Sequence, residues 1–223
     1  MDRNAAQDPA ADPIKAAVEE HDMQMRQWRN KLVLSYPQPR LERRHVEGAR
    51  LLPTRYDMLE ELPKGGIACE IGVANGDFSA EILKRNQPRK LHLVDAWVAD
   101  RYHDDRKIVE ERFASEVAAG LVSLHVGYST ERLPEFPDHY FDWVYIDSVH
   151  DYKTTAAELA ISLAKVKPGG IIAGHDYTPG NIVSPCPYGV IQAVQEFCIN
   201  NNWRYLFLTC ESHCYVSFAL KAI

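Results

Sequence analysis

A chain of 223 residues, 46% apolar and 25% charged, is long enough for one α/β domain with its own core and a short extension. The formal charge of −6 argues against a nucleic-acid partner, since no basic stripe offsets phosphate repulsion, and no apolar stretch approaches a membrane span. Five cysteines, Cys69, Cys186, Cys198, Cys210 and Cys214, form no C-x-x-C pair, which predicts a reduced, cytoplasmic protein.

Residues 1–13 are low in complexity and are expected to be a disordered start. A helix is predicted next, with Asp12-Pro13 as cap and first turn. Ile14, Val18, His21, Met25, Trp28 and Leu32 repeat at steps of four and three, a narrow apolar seam. The seam suits packing on the domain, a lid, or pairing in a homo-oligomer. An N-terminal helical extension over 14–50 and a main domain over 51–223 follow from this pattern. Tyr36-Pro37-Gln38-Pro39 breaks the helix, and residues 41–63 read as mostly helical.

Gly65-Gly66 then opens the stretch around which the chain is organised. Ile67 to Ile71 has the length of a buried strand, and Gly72 and Gly76 allow positive φ and a close backbone approach to a ligand. Asp77 is expected to cap the helix 77–86, whose Phe78 and Ile82 lie four apart. Ala74 interrupts a G-x-G-x-x-G fingerprint, so a dinucleotide is disfavoured. Glu70, two residues before Gly72, suits a cationic, amino-bearing ligand instead. Lys90 to Asp95 is a second buried strand ending in an acid, at about the 20-residue offset where a carboxylate meets a ribose diol.

Strands and helices go on alternating. A charged helix is predicted over 104–118, a third strand over 121–126 and a short helix over 130–133. A fourth strand follows over 141–146, then a helix over 151–166 with Tyr152, Ala156, Leu159 and Leu163 on one face. Pro168-Gly169-Gly170 stops that helix before a fifth strand at 171–174. After a proline-rich loop comes a helix over 190–198. Strands 203–209 and 213–220 are expected to pair as an antiparallel hairpin through Glu211-Ser212. The fold class is therefore α/β: a doubly wound, mostly parallel seven-stranded sheet with a C-terminal antiparallel hairpin.

The pattern E-x-G-x-x-x-G at 70–76, the acid Asp95 and the terminal hairpin resemble class I S-adenosylmethionine-dependent methyltransferases. The pattern I-D-x-x-H-x-Y at 146–152, K-P-G-G at 167–170 and H-D-Y at 175–177 look like the macrocin and catechol O-methyltransferase branch of that family. The resemblance implies S-adenosylmethionine as cofactor, held by Glu70, Gly72, Asn75, Gly76 and Asp95, with Tyr128 and Ser129 beside the adenine. It also implies a small-molecule acceptor such as a sugar hydroxyl. A binding module without catalysis, an N- or C-methyltransferase and a nicotinamide-dependent oxidoreductase are the rival readings. Ala74 and the terminal hairpin argue against the last.

Methyl transfer to a hydroxyl requires a general base or a Lewis-acid metal. Asp147 and His150 follow the fourth strand, and His175 and Asp176 follow the fifth, at the sheet edge where open α/β sheets bind ligands. His150 is the candidate base, with Asp147 its catalytic neighbour. By the resemblance, Asp147, His175 and Asp176 occupy the positions that hold Mg²⁺ in metal-dependent relatives. A nitrogen at His175 moves the preference toward Mn²⁺. Trp97, Trp143 and Trp203 read as packing residues, and His92 and His125 as satisfied strand histidines.

Overall fold

The structure, a computed structural model, describes residues 13–98 and 104–223. The expected disordered start thus lies outside the described residues apart from Pro13. The chain divides into two compact units, Met1–Tyr36 and Pro37–Ile223.

In the first unit, helix α1 (Pro13–Ser35) begins on a proline, whose fixed φ suits a first helical turn, and ends before Tyr36-Pro37. None of its described side chains is buried; Val18 and Trp28 of the apolar seam are exposed. No described helix is long and apolar enough to cross a membrane.

The second unit opens with a short helix α2 (Arg43–Val46), strand β1 (Arg50–Leu52) and helix α3 (Arg55–Glu61). This corrects the expectation of a mostly helical segment over 41–63. Pro53 cannot continue a helix begun before it, and Thr54 caps α3 in a reciprocal box with Asp57. The residues left between the two helices extend and pair in parallel with strand β9 (Trp203–Thr209), burying Leu52.

Strands β2 (Ile67–Ile71), β3 (Lys90–Asp95), β4 (Val122–Val126), β5 (Phe141–Ile146) and β6 (Val166–Gly174) pair in parallel. Strand β10 (Phe218–Ala222) runs antiparallel between β6 and β9. The sheet order is β1-β9-β10-β6-β5-β2-β3-β4, eight strands where seven were expected, the addition being β1. Strands β7 (Gly180–Asn181) and β8 (Cys186–Pro187) form a small separate ribbon inside the proline-rich loop.

The sheet is covered on both faces because its central strands bury alternate residues in opposite directions. Along β5, Trp143 and Tyr145 join Met58, Leu59, Phe78 and Ile82. Val144 and Ile146 join Leu159 of helix α4 (Tyr152–Lys165) and Val194 and Phe197 of helix α5 (Val190–Asn201).

Two local expectations change. Gly76, at φ +79°, is the cap of the helix after the glycine loop, and Asp77 is its first residue, its N–H held by Asn75 Oδ1 at 3.1 Å. The connection into β10 is longer than a two-residue turn. Ser217 N donates to Thr209 Oγ1 at 2.7 Å and Thr209 N to Ser217 O at 3.0 Å, so pairing resumes only at Phe218.

Candidate active site

The carboxyl ends of β2, β3 and β5, the turn after β4 and the β7–β8 ribbon surround a cavity of about 460 Å³. Among the residues named from sequence, Gly72, Asp95, Tyr128, Ser129, Asp147 and His150 line it, and Glu70, Asn75, Gly76, His175 and Asp176 do not.

Each glycine of the loop has its own steric reason. Gly72 sits at φ +85°, and a Cβ there would overlap the Asp147 carbonyl, so β2 and β5 close together only through glycine. A Cβ on Gly76 would come within 2.8 Å of the Phe113 ring, and neither residue lines the cavity.

Asp95 fastens the loop. Its Oδ2 accepts from the N–H groups of Val73 (2.8 Å) and Ala74 (3.0 Å), and its Oδ1 from Trp97 N (2.8 Å). These bonds hold Ala74 and Trp97 at φ +48° and +45°, a region that non-glycine residues enter only when their surroundings impose it. The Trp97 indole N–H also donates to Ala74 O at 2.8 Å, so Trp97 is both a packing residue and a wall of the cavity.

Glu70 is buried beneath the loop and accepts from Ser79 Oγ at 2.5 Å. Burial pushes its carboxyl up to about 8, against the Ser79 hydrogen bond, so at neutral pH it is mostly the uncharged acid. An exposed carboxylate for a cationic ligand is therefore not what this residue presents.

The catalytic candidates meet at the ends of β5 and β6. His150 Nε2 lies 2.8 Å from Asp176 Oδ2 and 3.5 Å from Asp147 Oδ1. Burial disfavours a charged imidazole here, but the bonds to Asp147 and Asp176 prevail and raise His150 to about 9. The same partnership lowers Asp176 despite its burial. Gly189 N donates to the His150 carbonyl at 2.8 Å, and a Cβ on Gly189 would overlap the Tyr152 backbone, which lets the loop from β8 lie against His150.

Asp147, His150 and Asp176 each offer a ligand atom, all within 4.8 Å of one another. This group has His150 where the expected set has His175. His175 is not in the group; its Nδ1 lies 2.7 Å from Ser217 Oγ, just ahead of β10, and burial lowers its pKa, which favours the neutral ring. Both residues follow the end of β6, and it is the Asp176 side chain that reaches His150.

Three functional candidates were not foreseen from sequence. Arg55 Nη1 lies 3.4 Å from Asp147 Oδ2, with its guanidinium over the Phe78 ring, and nothing in its local sequence signals that contact. Ser148 lines the cavity directly after Asp147. Glu158 is buried under it, with Oε1 accepting from Ser129 Oγ (2.5 Å) and Ser148 Oγ (2.6 Å), while burial raises its carboxyl to about 7. An acid beside Leu159 on the inward face of α4 was the available signal for Glu158. His92 and His125 are satisfied: His92 Nδ1 is 2.9 Å from His125 Nε2, and its Nε2 is 3.2 Å from the Tyr140 hydroxyl.

Residues 69–177 match a family described as a methyltransferase domain, a span that includes every cavity acid and imidazole discussed above. No curated protein matches the chain by sequence. Solved structures share the fold. An rRNA-methylase candidate from Clostridium thermocellum has a TM-score of 0.56 at 14% identity, covering 76% of this chain and 95% of its own. A methyltransferase candidate from Streptococcus mutans, solved in complex with SAH, has a TM-score of 0.56 at 14% identity over 76% of this chain and 96% of its own. The spermidine synthase of Thermotoga maritima has a TM-score of 0.53 at 16% identity over 75% of this chain and 58% of its own. The fold is thus that of the class I methyltransferases, shared with a synthase, so the reaction has to be argued from the site.

Proposed function

We propose that the chain is an S-adenosylmethionine-dependent methyltransferase that methylates a hydroxyl group of a small molecule, such as a sugar. One observation carries this reading: a single cavity is lined by the glycine loop at Gly72, the strand-end acid Asp95 and the imidazole of His150. The match over 69–177 and the SAH bound in the S. mutans structure support the choice of cofactor. The net charge of −6 favours a small acceptor over RNA, although one neighbour is named for rRNA.

When bound, the cofactor supplies an electrophilic methyl group on its sulfonium. The residues of this chain bind, orient and move protons. A carboxylate has about four acceptor positions. Asp95 uses three on backbone N–H groups, which leaves one for a ribose hydroxyl and keeps the loop rigid around it. Tyr128 and Ser129 line the cavity past the end of β4, where the base of a nucleoside laid outward from β2 would lie.

His150 takes the acceptor proton. Raised to about 9, it is mostly imidazolium at neutral pH and must first give up its own proton, so its basic form grows with pH. In the alternative arrangement Asp147, His150 and Asp176 would hold a divalent cation; His150 would then be a ligand rather than the base, and the cation would lower the pKa of a hydroxyl beside it. The donor set of two carboxylates and one imidazole suits Mn²⁺ as well as Mg²⁺.

Calorimetry with S-adenosylhomocysteine tests the cofactor assignment. The parent binds, and Asp95→Ala weakens binding by roughly 1 to 3 kcal/mol through the loosened loop and lost ribose contact. No heat from the parent, or an unchanged variant, defeats the assignment. The methylated product of a hydroxyl library, read by mass spectrometry, tests the acceptor class.

A further inference from the structure

Helix α1 leaves much of its apolar seam in solvent. Val18 is 55% and Trp28 47% exposed, and Met25 and Leu32 are only half-buried. A helix draws most of its stability in water from packing of an apolar face, so this seam needs a cover.

The charges beside the seam indicate what that cover is. Val18, Met25 and Leu32 recur every seventh residue, and His21, Trp28 and Ser35 do so three places further on. These are the a and d positions of a two-helix seam. Asp22 and Arg29 then take the flanking e positions, and Gln24 and Lys31 the g positions. Among the described residues neither Asp22 nor Arg29 has an ion-pair partner. The acids Glu19, Glu20 and Asp22 stand in the first half of the helix, and the bases Arg26, Arg29 and Lys31 in the second.

We propose that α1 pairs antiparallel with α1 of a second copy of this chain, in the register that sets Met25 against Trp28, His21 against Leu32 and Val18 against Ser35. That register brings Asp22 of each copy beside Arg29 of the other, so the two-fold symmetry makes two identical ion pairs along the seam. The antiparallel registers one heptad to either side set Asp22 against Asp22 or Arg29 against Arg29. A parallel pair sets Asp22 opposite Ala17 and Arg29 opposite Gln24, which makes no ion pair and brings like-charged halves together. The antiparallel pair also lays the positive end of each helix dipole beside the negative end of the other. Neither the cofactor nor the acceptor enters this pairing.

Sedimentation of the full-length chain over a range of concentrations tests it. The parent sediments as a dimer that dissociates on dilution. Asp22→Arg alone and Arg29→Asp alone each weaken the dimer at least about tenfold, because both symmetric contacts turn from attraction to repulsion. Mixing these two variants gives a heterodimer of parental strength, since every flanking contact again joins a base to an acid. The double variant Asp22→Arg/Arg29→Asp recovers the homodimer for the same reason. In a parallel pair residues 22 and 29 do not meet, and neither recovery follows. A parent that stays monomeric at every concentration overturns the proposal. So does a dimer that neither single variant weakens, or a pair of weakened variants that mixing does not rescue.

Discussion

His150 Nε2 stands 2.8 Å from Asp176 Oδ2, although the two residues leave different strands. The parallel register sets Ile146 beside Gly174, so the chains emerging from β5 and β6 leave the sheet side by side. Asp176 adopts φ +56°, an unusual state for a non-glycine residue. Such a conformation costs about 1 to 3 kcal/mol and persists where surrounding contacts impose it.

Removing this partner should move the histidine. With Asp176→Asn, the His150 pKa falls from about 9 toward its ordinary value, because one of the two carboxylates that overcome its burial is gone. NMR titration of the imidazole reads this directly, and an unmoved midpoint contradicts it. The stability effect has a definite sign. A histidine whose folded pKa lies above its unfolded one stabilises fully below about 6.5 and loses that contribution as pH rises through about 9. The parent should therefore lose stability over that window by roughly 1.4 kcal/mol per unit of displacement, and Asp176→Asn should lose less.

A cation at Asp147, His150 and Asp176 competes with the His150 proton. Mn²⁺ binding at pH 7 should release close to one proton, seen as a dependence of the calorimetric heat on buffer ionisation. Asp147→Ala should weaken Mn²⁺ binding by at least about tenfold, the loss that even an outer partner of a metal ligand causes. EDTA-treated protein with full turnover, together with a dead His150→Ala variant, would instead assign the proton to the histidine alone, with Arg55 as the cation facing Asp147.

Glu70 contributes to the pH dependence of stability with the same sign as His150. Its folded pKa of about 8 exceeds the unfolded value of 4.5, so the folded state holds an extra proton between those values. Stability due to this group is highest below about 4.5 and declines as pH rises through 8. Glu70→Gln keeps the hydrogen bond to Ser79 without the titration. It should be the more stable protein by roughly 1 to 3 kcal/mol at pH 8.5, narrowing to little difference at pH 5. Parallel melting curves of the two proteins at all pH values would refute this account.

The N-terminal helix can be removed separately. Residues Pro37–Ile223 contain both core clusters apart from α1, so deletion of residues 1–36 should leave one cooperative thermal transition. Light scattering and S-adenosylhomocysteine calorimetry on the shortened chain then assign the apolar seam. A changed mass assigns it to a second copy and a changed affinity to a lid; if both hold constant, it serves neither.

The sequence by itself determined the strands β2, β3, β5 and β9, each found at its expected bounds, because buried runs closed by glycines, acids and turns carry a local signature. It also determined that Asp147, His150 and Asp176 would share one sheet edge, since alternating strand and helix units place every strand end of a parallel sheet on the same side. Only the tertiary structure decided which side chains meet there. The exchange of His175 for His150 depends on which way a loop turns after its strand, and Glu70 became a buried neutral acid through packing from above. Arg55 and Asp147 are 92 positions apart in the chain, as β1 and β9 are far apart, and no local pattern encodes such pairings. The free energy of a long-range contact comes from burial and complementary charge assembled across the whole domain, so it becomes readable only once the chain has closed around it.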